Sequence, residues 1–264
     1  MHRMEMTVVL ALLAFSSSAA PAEVQVAQRT EARTWQAPDG GVFRYRWREP
    51  ASPEPGKKYP LVILMHGVGE CGTNNFSQLK WGALPIFTYL QNKKEEFYFV
   101  AGQVPQGERW VDTDWRLPSH VMPETPSKTM ALQIAFLEDL FAKTPALDLS
   151  RVYVTGVSMG GFGTWDLICR KPEWFAAAMP VCGGGDTAQA PKIRKIPIWV
   201  YHGDRDDAVS CKRSRSMTAA LWACDGNIKY TEYPGVDHFC WYPAYGNARN
   251  LDWFFSQKKS ELKK

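Results

Sequence analysis

The sequence is poor in the groupings that hold metals and nucleotides. Histidine occurs five times and cysteine six times in 264 residues. There is no H-E-x-x-H, and no two cysteines stand at zinc spacing, which argues against a zinc hydrolase or a structural zinc module. No G-x-x-x-x-G-K-[ST] phosphate loop is present, and neither a metal nor a dinucleotide cofactor is expected. There is no internal repeat and no low-complexity stretch, so solenoids and disordered tails fall away. The net charge is only +4 with the basic residues scattered, and the lysines at positions 258, 259, 263 and 264 read as a solvated end. Nothing in this charge pattern asks for nucleic acid. Long apolar runs are missing too. Val8–Phe15 is the main candidate, and it is too short to cross a bilayer.

That short run has another meaning. Arg3 precedes it, small residues follow, and Ala20-Pro21-Ala22 offers a cleavage site, so residues 1–22 read as a signal peptide. A secreted or periplasmic protein is expected, free of the membrane once the leader is removed and monomeric. Export would allow the cysteines to pair. Residues 23–264 are then expected to form a single domain. Its 45% hydrophobic and 13% aromatic content is enough for one sizeable core. Eleven tryptophans are many for this length; beyond packing, carbohydrate and aromatic-ester sites also use them.

Strand and helix patterns alternate along that domain. Glu23–Arg33 is polar and expected to be loose. Thr34–Trp47 alternates around Asp39-Gly40-Gly41 as a hairpin. Buried strands are predicted at Tyr59–Met65, Phe97–Ala101, Val152–Thr155, Phe175–Val181, Ile196–Tyr201 and Ile228–Tyr233. Helices are predicted at Phe76–Leu90, Ser127–Lys143, Met159–Arg170, Cys211–Ala223 and Leu251–Ser256. This alternation predicts an α/β fold: a mostly parallel central sheet with helices on both faces and an N-terminal antiparallel hairpin.

The chemistry centres on Arg151–Trp165, RVYVTGVSMGGFGTW. A β-branched run turns at Gly156-Val157-Ser158-Met159-Gly160 and enters a helix, which is the G-x-S-x-G nucleophile elbow. Such a turn lifts Ser158 above the strand end and aims the Met159 amide at a developing oxyanion. A serine nucleophile needs a base oriented by an acid. Asp206 and His238 follow in the order Ser, acid, His, each on a loop after a later strand. Asp204, Asp207 and Asp186 compete for the role of acid. His66 and His202 precede glycines at strand exits and are read as bonding backbone. The amide of Val68, in the His66-Gly67-Val68-Gly69 turn, is the second expected oxyanion donor. The long loop Gln103–Trp115 is rich in Trp and Asp, and Gln103, Trp110 and Trp115 are candidates to bind substrate. Asn75-Phe76-Ser77 is a glycosylation sequon.

The stretches LMHGVGECG, QVPQGERW, YVTGVSMGGFGTWDL, PVCGGGD, HGDRDDAV and YTEYPGVDH are similar to secreted esterases of the α/β-hydrolase superfamily, with prolyl-oligopeptidase-like and dienelactone-hydrolase-like patterns. The chain resembles the feruloyl and acetylxylan esterases of the first carbohydrate esterase family from about Tyr59 to its end. The resemblance implies an α/β-hydrolase fold, a serine carboxylesterase acting on plant cell-wall esters, no cofactor, and Asp206 as the acid in HG-x-x-D-x-x-V. Cys71 and Cys240 stand where such relatives carry other residues. Their joint novelty on two loops expected to meet suggests a disulfide. Asp237 replaces the usual glycine before His238 and either raises the basicity of His238 or points into solvent. A serine peptidase and a broad short-chain esterase are the competing enzymatic readings. A non-catalytic wall-binding protein would be expected to have lost part of the triad.

Overall fold

The computed structural model describes residues 20–259, which build one eight-stranded sheet. The strands are β1 (Glu31–Gln36), β2 (Val42–Arg48), β3 (Tyr59–Met65), β4 (Tyr98–Gln103), β5 (Leu147–Val157), β6 (Ala177–Val181), β7 (Ile198–Gly203) and β8 (Ile228–Tyr233). Their spatial order is β1-β2-β4-β3-β5-β6-β7-β8. The β1–β2 and β2–β4 pairs are antiparallel, and every pairing from β4 to β8 is parallel. The helices are α1 (Ala22–Ala27), α2 (Ala83–Asn92), α3 (Lys128–Lys143), α4 (Met159–Arg170), α5 (Ala190–Ile193), α6 (Lys212–Trp222), α7 (Trp241–Gly246) and α8 (Ala248–Ser256). None is long and apolar enough to cross a membrane. The expected leader, residues 1–22, lies almost wholly outside the described residues.

The apolar runs that predicted buried strands do so because both faces of the sheet are covered. In β3, Leu61, Ile63 and Met65 pack into the core shared with α3, α4, α5 and α6. Val62 and Leu64 pack into the opposite core with α1, α2, α7 and α8. Tyr153 and Val154 divide β5 in the same way.

Four segments differ from the sequence expectation, among them the one-turn helix α5, which was not expected. Glu23–Arg33 is not loose, because α1 occupies its start and buries Val26 in the α2-side core. The single helix expected at Phe76–Leu90 is a short turn, Ser77–Leu79, followed by α2. Gly82 interrupts it at φ 80°, a left-handed conformation that ends helical continuity. The helix α7 was not foreseen; it follows directly on the His238 loop.

Candidate active site

The elbow forms because two glycines let backbones touch. A Cβ on Gly156 would lie 2.4 Å from the Gly160 carbonyl oxygen, and one on Gly160 would lie 2.0 Å from that of Met65. Only hydrogen fits at either position. Ser158 itself takes φ 55°, a strained value for a residue with a side chain, at the junction of β5 and α4. Its N–H donates to the Val181 carbonyl oxygen (3.0 Å) and to the Cys182 sulfur (3.3 Å), which holds the turn on the end of β6.

Three strand-end loops converge here. His238 Nε2 lies 2.9 Å from Ser158 Oγ, and His238 Nδ1 lies 2.7 Å from Asp206 Oδ2. The Asp206 carboxylate is fully buried. Its other oxygen accepts N–H groups from Ala208 (3.0 Å) and Val209 (2.8 Å). Burial works against its charge, but hydrogen bonds from His202, His238 and Val209 outweigh it and hold the carboxyl well below the usual range. The competing acids are engaged elsewhere. Asp204 accepts the Gly235 N–H at 2.7 Å, Asp207 is exposed, and Asp186 caps the turn after β6 while accepting the Met122 N–H at 3.0 Å. Asp237 is exposed and caps the Phe239 N–H at 2.9 Å, so the solvent-facing alternative is the one observed.

The turn after β3 lies beside the serine. A Cβ on Gly67 would stand 3.6 Å from that of Ser158. Val68 heads a short 3-10 turn, Val68–Glu70, and Met159 heads α4. Amides at helix starts have no intrahelical acceptor, so both N–H groups are free to serve a ligand. Gly67, Gly69 and Gly72 have G-x-G-x-x-G spacing, but β3 leads there into a three-residue turn, Val68–Glu70, and not into the helix that dinucleotide binding needs. Among the described residues, Cys182, Asp206 and His238 bring donor atoms within 4.8 Å of one another, the one grouping able to share an ion. The imidazole and carboxylate already bind each other. Burial and the Cys240 thiol push the Cys182 thiol well up, so it is a poor metal ligand.

The reading of both histidines as bonding backbone holds, but His202 has a second role that sequence reasoning missed. His202 is fully buried with Nε2 3.1 Å from Asp206 Oδ2 and 2.9 Å from the Val209 carbonyl oxygen, while its Nδ1 meets Ser214 Oγ at 2.7 Å. It therefore props the acid besides bonding backbone. His66 accepts the Val104 N–H on Nε2 (2.9 Å), so its proton is on Nδ1 and is donated to the Gly67 carbonyl oxygen (2.6 Å). Burial lowers its pKa to about 4, so this neutral ring pins the turn that carries Val68. An i,i+4 His-Asp pair on one strand exit was the available signal for His202. His66 bonds backbone as expected, to its neighbour Gly67 and to Val104 just past β4.

Other expectations are corrected. Trp110 does not line a cleft: it is fully buried and donates its indole N–H to the His66 carbonyl oxygen at 3.1 Å. Gln103, also buried, accepts the Asn75 N–H (2.6 Å) and donates to Glu70 O (3.1 Å) and Asn74 Oδ1 (2.9 Å), so it braces the loop after the Val68 turn. Trp115 is half-buried against the core under the Arg109 guanidinium, 4.5 Å from its centroid. Asn75 has spent its side-chain amide on the Arg33 and Tyr45 carbonyls and is buried, so the sequon is closed in the folded protein. The Cys71–Cys240 disulfide is not formed. All six cysteines are free, with Cys71 half-buried and Cys240 buried against Cys182. The side chain of Cys240 turns inward under β7, within 3.9 Å of the Tyr201 carbonyl oxygen.

A serine elbow after β5, a buried acid after β7 and a histidine after β8, all at one edge of this sheet, define the α/β-hydrolase class. The chain belongs to the phospholipase/carboxylesterase family, whose model matches residues 51–250. It is 31% identical over 200 residues to the poly(3-hydroxyalkanoate) depolymerase C of Paucimonas lemoignei, covering 67% of this chain and 46% of that protein. It is 28% identical over 152 residues to a bifunctional acetylxylan esterase/xylanase of Neocallimastix patriciarum, covering 57% and 20%. The chain thus spans less than half the length of these curated relatives. Among solved structures, a thermostable esterase matches with a TM-score of 0.81 and 34% identity, covering 89% of this chain and 64% of that one. The feruloyl esterase module of Clostridium thermocellum shares the fold, with a TM-score of 0.60 and 18% identity over 89% and 91%.

Proposed function

We propose that the protein is a serine carboxylesterase that is exported and removes acyl groups esterified to plant cell-wall polysaccharides. The Ser158–His238–Asp206 relay, with contacts of 2.9 and 2.7 Å, carries the reading. In this mechanism Ser158 Oγ attacks the acyl carbon as His238 Nε2 takes its proton. Asp206 fixes the ring so that Nε2 faces the serine, and balances the imidazolium. The amides of Val68 and Met159 stabilise the oxyanion. His238 then protonates the leaving alkoxide, and water, activated by the same ring, releases the acid and restores Ser158.

Family membership and the relatives named for ester hydrolysis support the chemistry. The acetylxylan relative supports the wall substrate, and the N-terminal leader pattern supports export. The depolymerase relative favours a second reading, hydrolysis of an aliphatic polyester. Purified protein should hydrolyse a chromogenic acetyl ester and leave a peptide p-nitroanilide intact. Ser158→Ala should lower kcat on the order of 10⁴-fold, and a fluorophosphonate should label Ser158 alone. Equal labelling of the Ala variant would remove Ser158 from the role.

A further inference from the structure

Large aromatic rings left in water beside a reactive centre call for an explanation, because they give up burial free energy. Phe239 and Tyr242 are 46% and 59% exposed. Phe239 follows His238 directly in the chain, and Tyr242 lies three residues further on, in α7. Their rings lie 6.3 Å apart and within 19° of parallel. Trp81 supports them from another segment, its centroid 5.7 Å from Tyr242 and 6.4 Å from Phe239, both edge to face. Trp241 joins the group to the site itself, packing on Trp81 at 5.4 Å and edge-on to the His238 imidazole at 5.4 Å. The orientation of Trp81 is fixed, since its indole N–H donates to Glu70 Oε1 at 2.9 Å, at the end of the Val68 turn. A continuous aromatic shelf therefore runs from the imidazole into solvent, tied to both loops that meet at Ser158.

The chemistry of ester cleavage says which half of the substrate lies there. His238 must reach the leaving oxygen to protonate it, so the alcohol half departs on the imidazole side. We infer that Phe239 and Tyr242, backed by Trp81, form a leaving-group subsite that stacks the sugar ring bearing the ester oxygen. The inference rests on the esterase reading and specifies its alcohol. An enclosed pocket suits a wholly apolar alcohol. An open shelf, with about half of each ring wet, suits a ring with one C–H face to lay on the aromatics and hydroxyls that stay hydrated. Lys80, exposed, with Nζ 4.7 Å from the Trp81 centroid, places an N–H donor at the border of the shelf. The open outer end lets a longer chain continue past the reacting unit.

The experiment compares wild type with the Phe239→Ala/Tyr242→Ala double variant on three esters: ethyl acetate, an acetylated xylo-oligosaccharide and a 3-hydroxybutyrate oligomer. Both positions are exposed, and a thermal unfolding curve checks that the variant folds. The ratio of kcat/KM for the xylo-oligosaccharide to that for ethyl acetate should fall about tenfold in the variant. The deacetylated xylo-oligosaccharide should inhibit wild-type hydrolysis of ethyl acetate competitively, with an inhibition constant about tenfold weaker in the variant. An unchanged ratio with unchanged inhibition overturns the shelf. A loss confined to the hydroxybutyrate oligomer overturns the sugar and assigns the rings to a polyester. Wild type active on ethyl acetate but not on the glycosyl ester refutes the occupant while ester hydrolysis stands; activity on none of the three refutes the esterase reading as well.

Discussion

At the scale of single residues, three aspartates within four positions differ only in where the loop after β7 points them. Asp206 faces His238 Nδ1 from full burial, whereas Asp204 holds the Gly235 amide and Asp207 faces solvent. Asp206→Asn should therefore lower kcat on the order of 10⁴-fold, since an amide cannot hold the imidazole in the tautomer the serine needs. Asp204→Asn and Asp207→Asn should each change it by less than about tenfold. Steady-state kinetics of the three variants decides, and equal losses would mean the acid is misassigned. The identity of the acid was legible in the sequence only through resemblance, because spacing alone admits all three. The i,i+4 spacing of His202 and Asp206 was the one sign of their partnership, and it does not show contact, because the buried pairing depends on how the loop folds back over its own strand.

At the scale of elements, the elbow is a contact between backbones. The helix α4 approaches the end of β3 so closely that Gly160 leaves no room for a methyl group. Gly160→Ala should cost at least about 3 kcal/mol, because the nearest atoms are backbone and cannot rotate away. Its urea midpoint should fall with the slope unchanged. A variant with wild-type stability would mean that α4 sits farther from β3. The G-x-S-x-G pattern announced this element, and β5 and α4 formed where it predicted. The failures at this scale share one cause. Trp110 and Gln103 sit in a stretch without apolar period, which reads as an exposed loop. Both are nonetheless buried, because their polar atoms find the His66 carbonyl and the Asn74–Asn75 segment as partners. Likewise, Cys71 and Cys240 stand on loops near the serine, yet the Cys240 side chain turns inward under β7.

At the scale of the whole molecule, the buried His66 and the half-buried His120 tie stability to pH. His66 is held at about 4 by burial, and His120 at about 4 by burial and by the adjacent Arg213 charge. The unfolded chain binds protons at these rings below its pKa of about 6.5, and the folded chain does not until about pH 4. Stability is therefore fully present above pH 6.5 and is lost as pH falls toward 4, with about 3 kcal/mol from His66 alone. Asp206 acts in a lower window. Its folded pKa is depressed, so its contribution is present above the ordinary carboxylate range and is lost only as pH falls below about 4. Urea midpoints between pH 7 and pH 4.5 should fall steadily, and the His66 imidazole should stay neutral by NMR down to about pH 5. Titration of His66 near 6.5 would contradict its burial.

The sequence by itself determined the alternation of strands and helices, the parallel sheet, the elbow and the order of serine, acid and base. Those properties are local: a β-branched run, a glycine spacing and a turn after each strand act through neighbours a few residues away. Only the tertiary structure decided that His66 and His202 brace the site and that Trp110 belongs to the core. It also decided that the exposed rings by the serine come from Phe239 and Tyr242 over Trp81, which the sequence assigned to no site. Those outcomes depend on the partners of side chains far apart in the chain. Such partners exist only once the sheet has brought its strand ends to one edge.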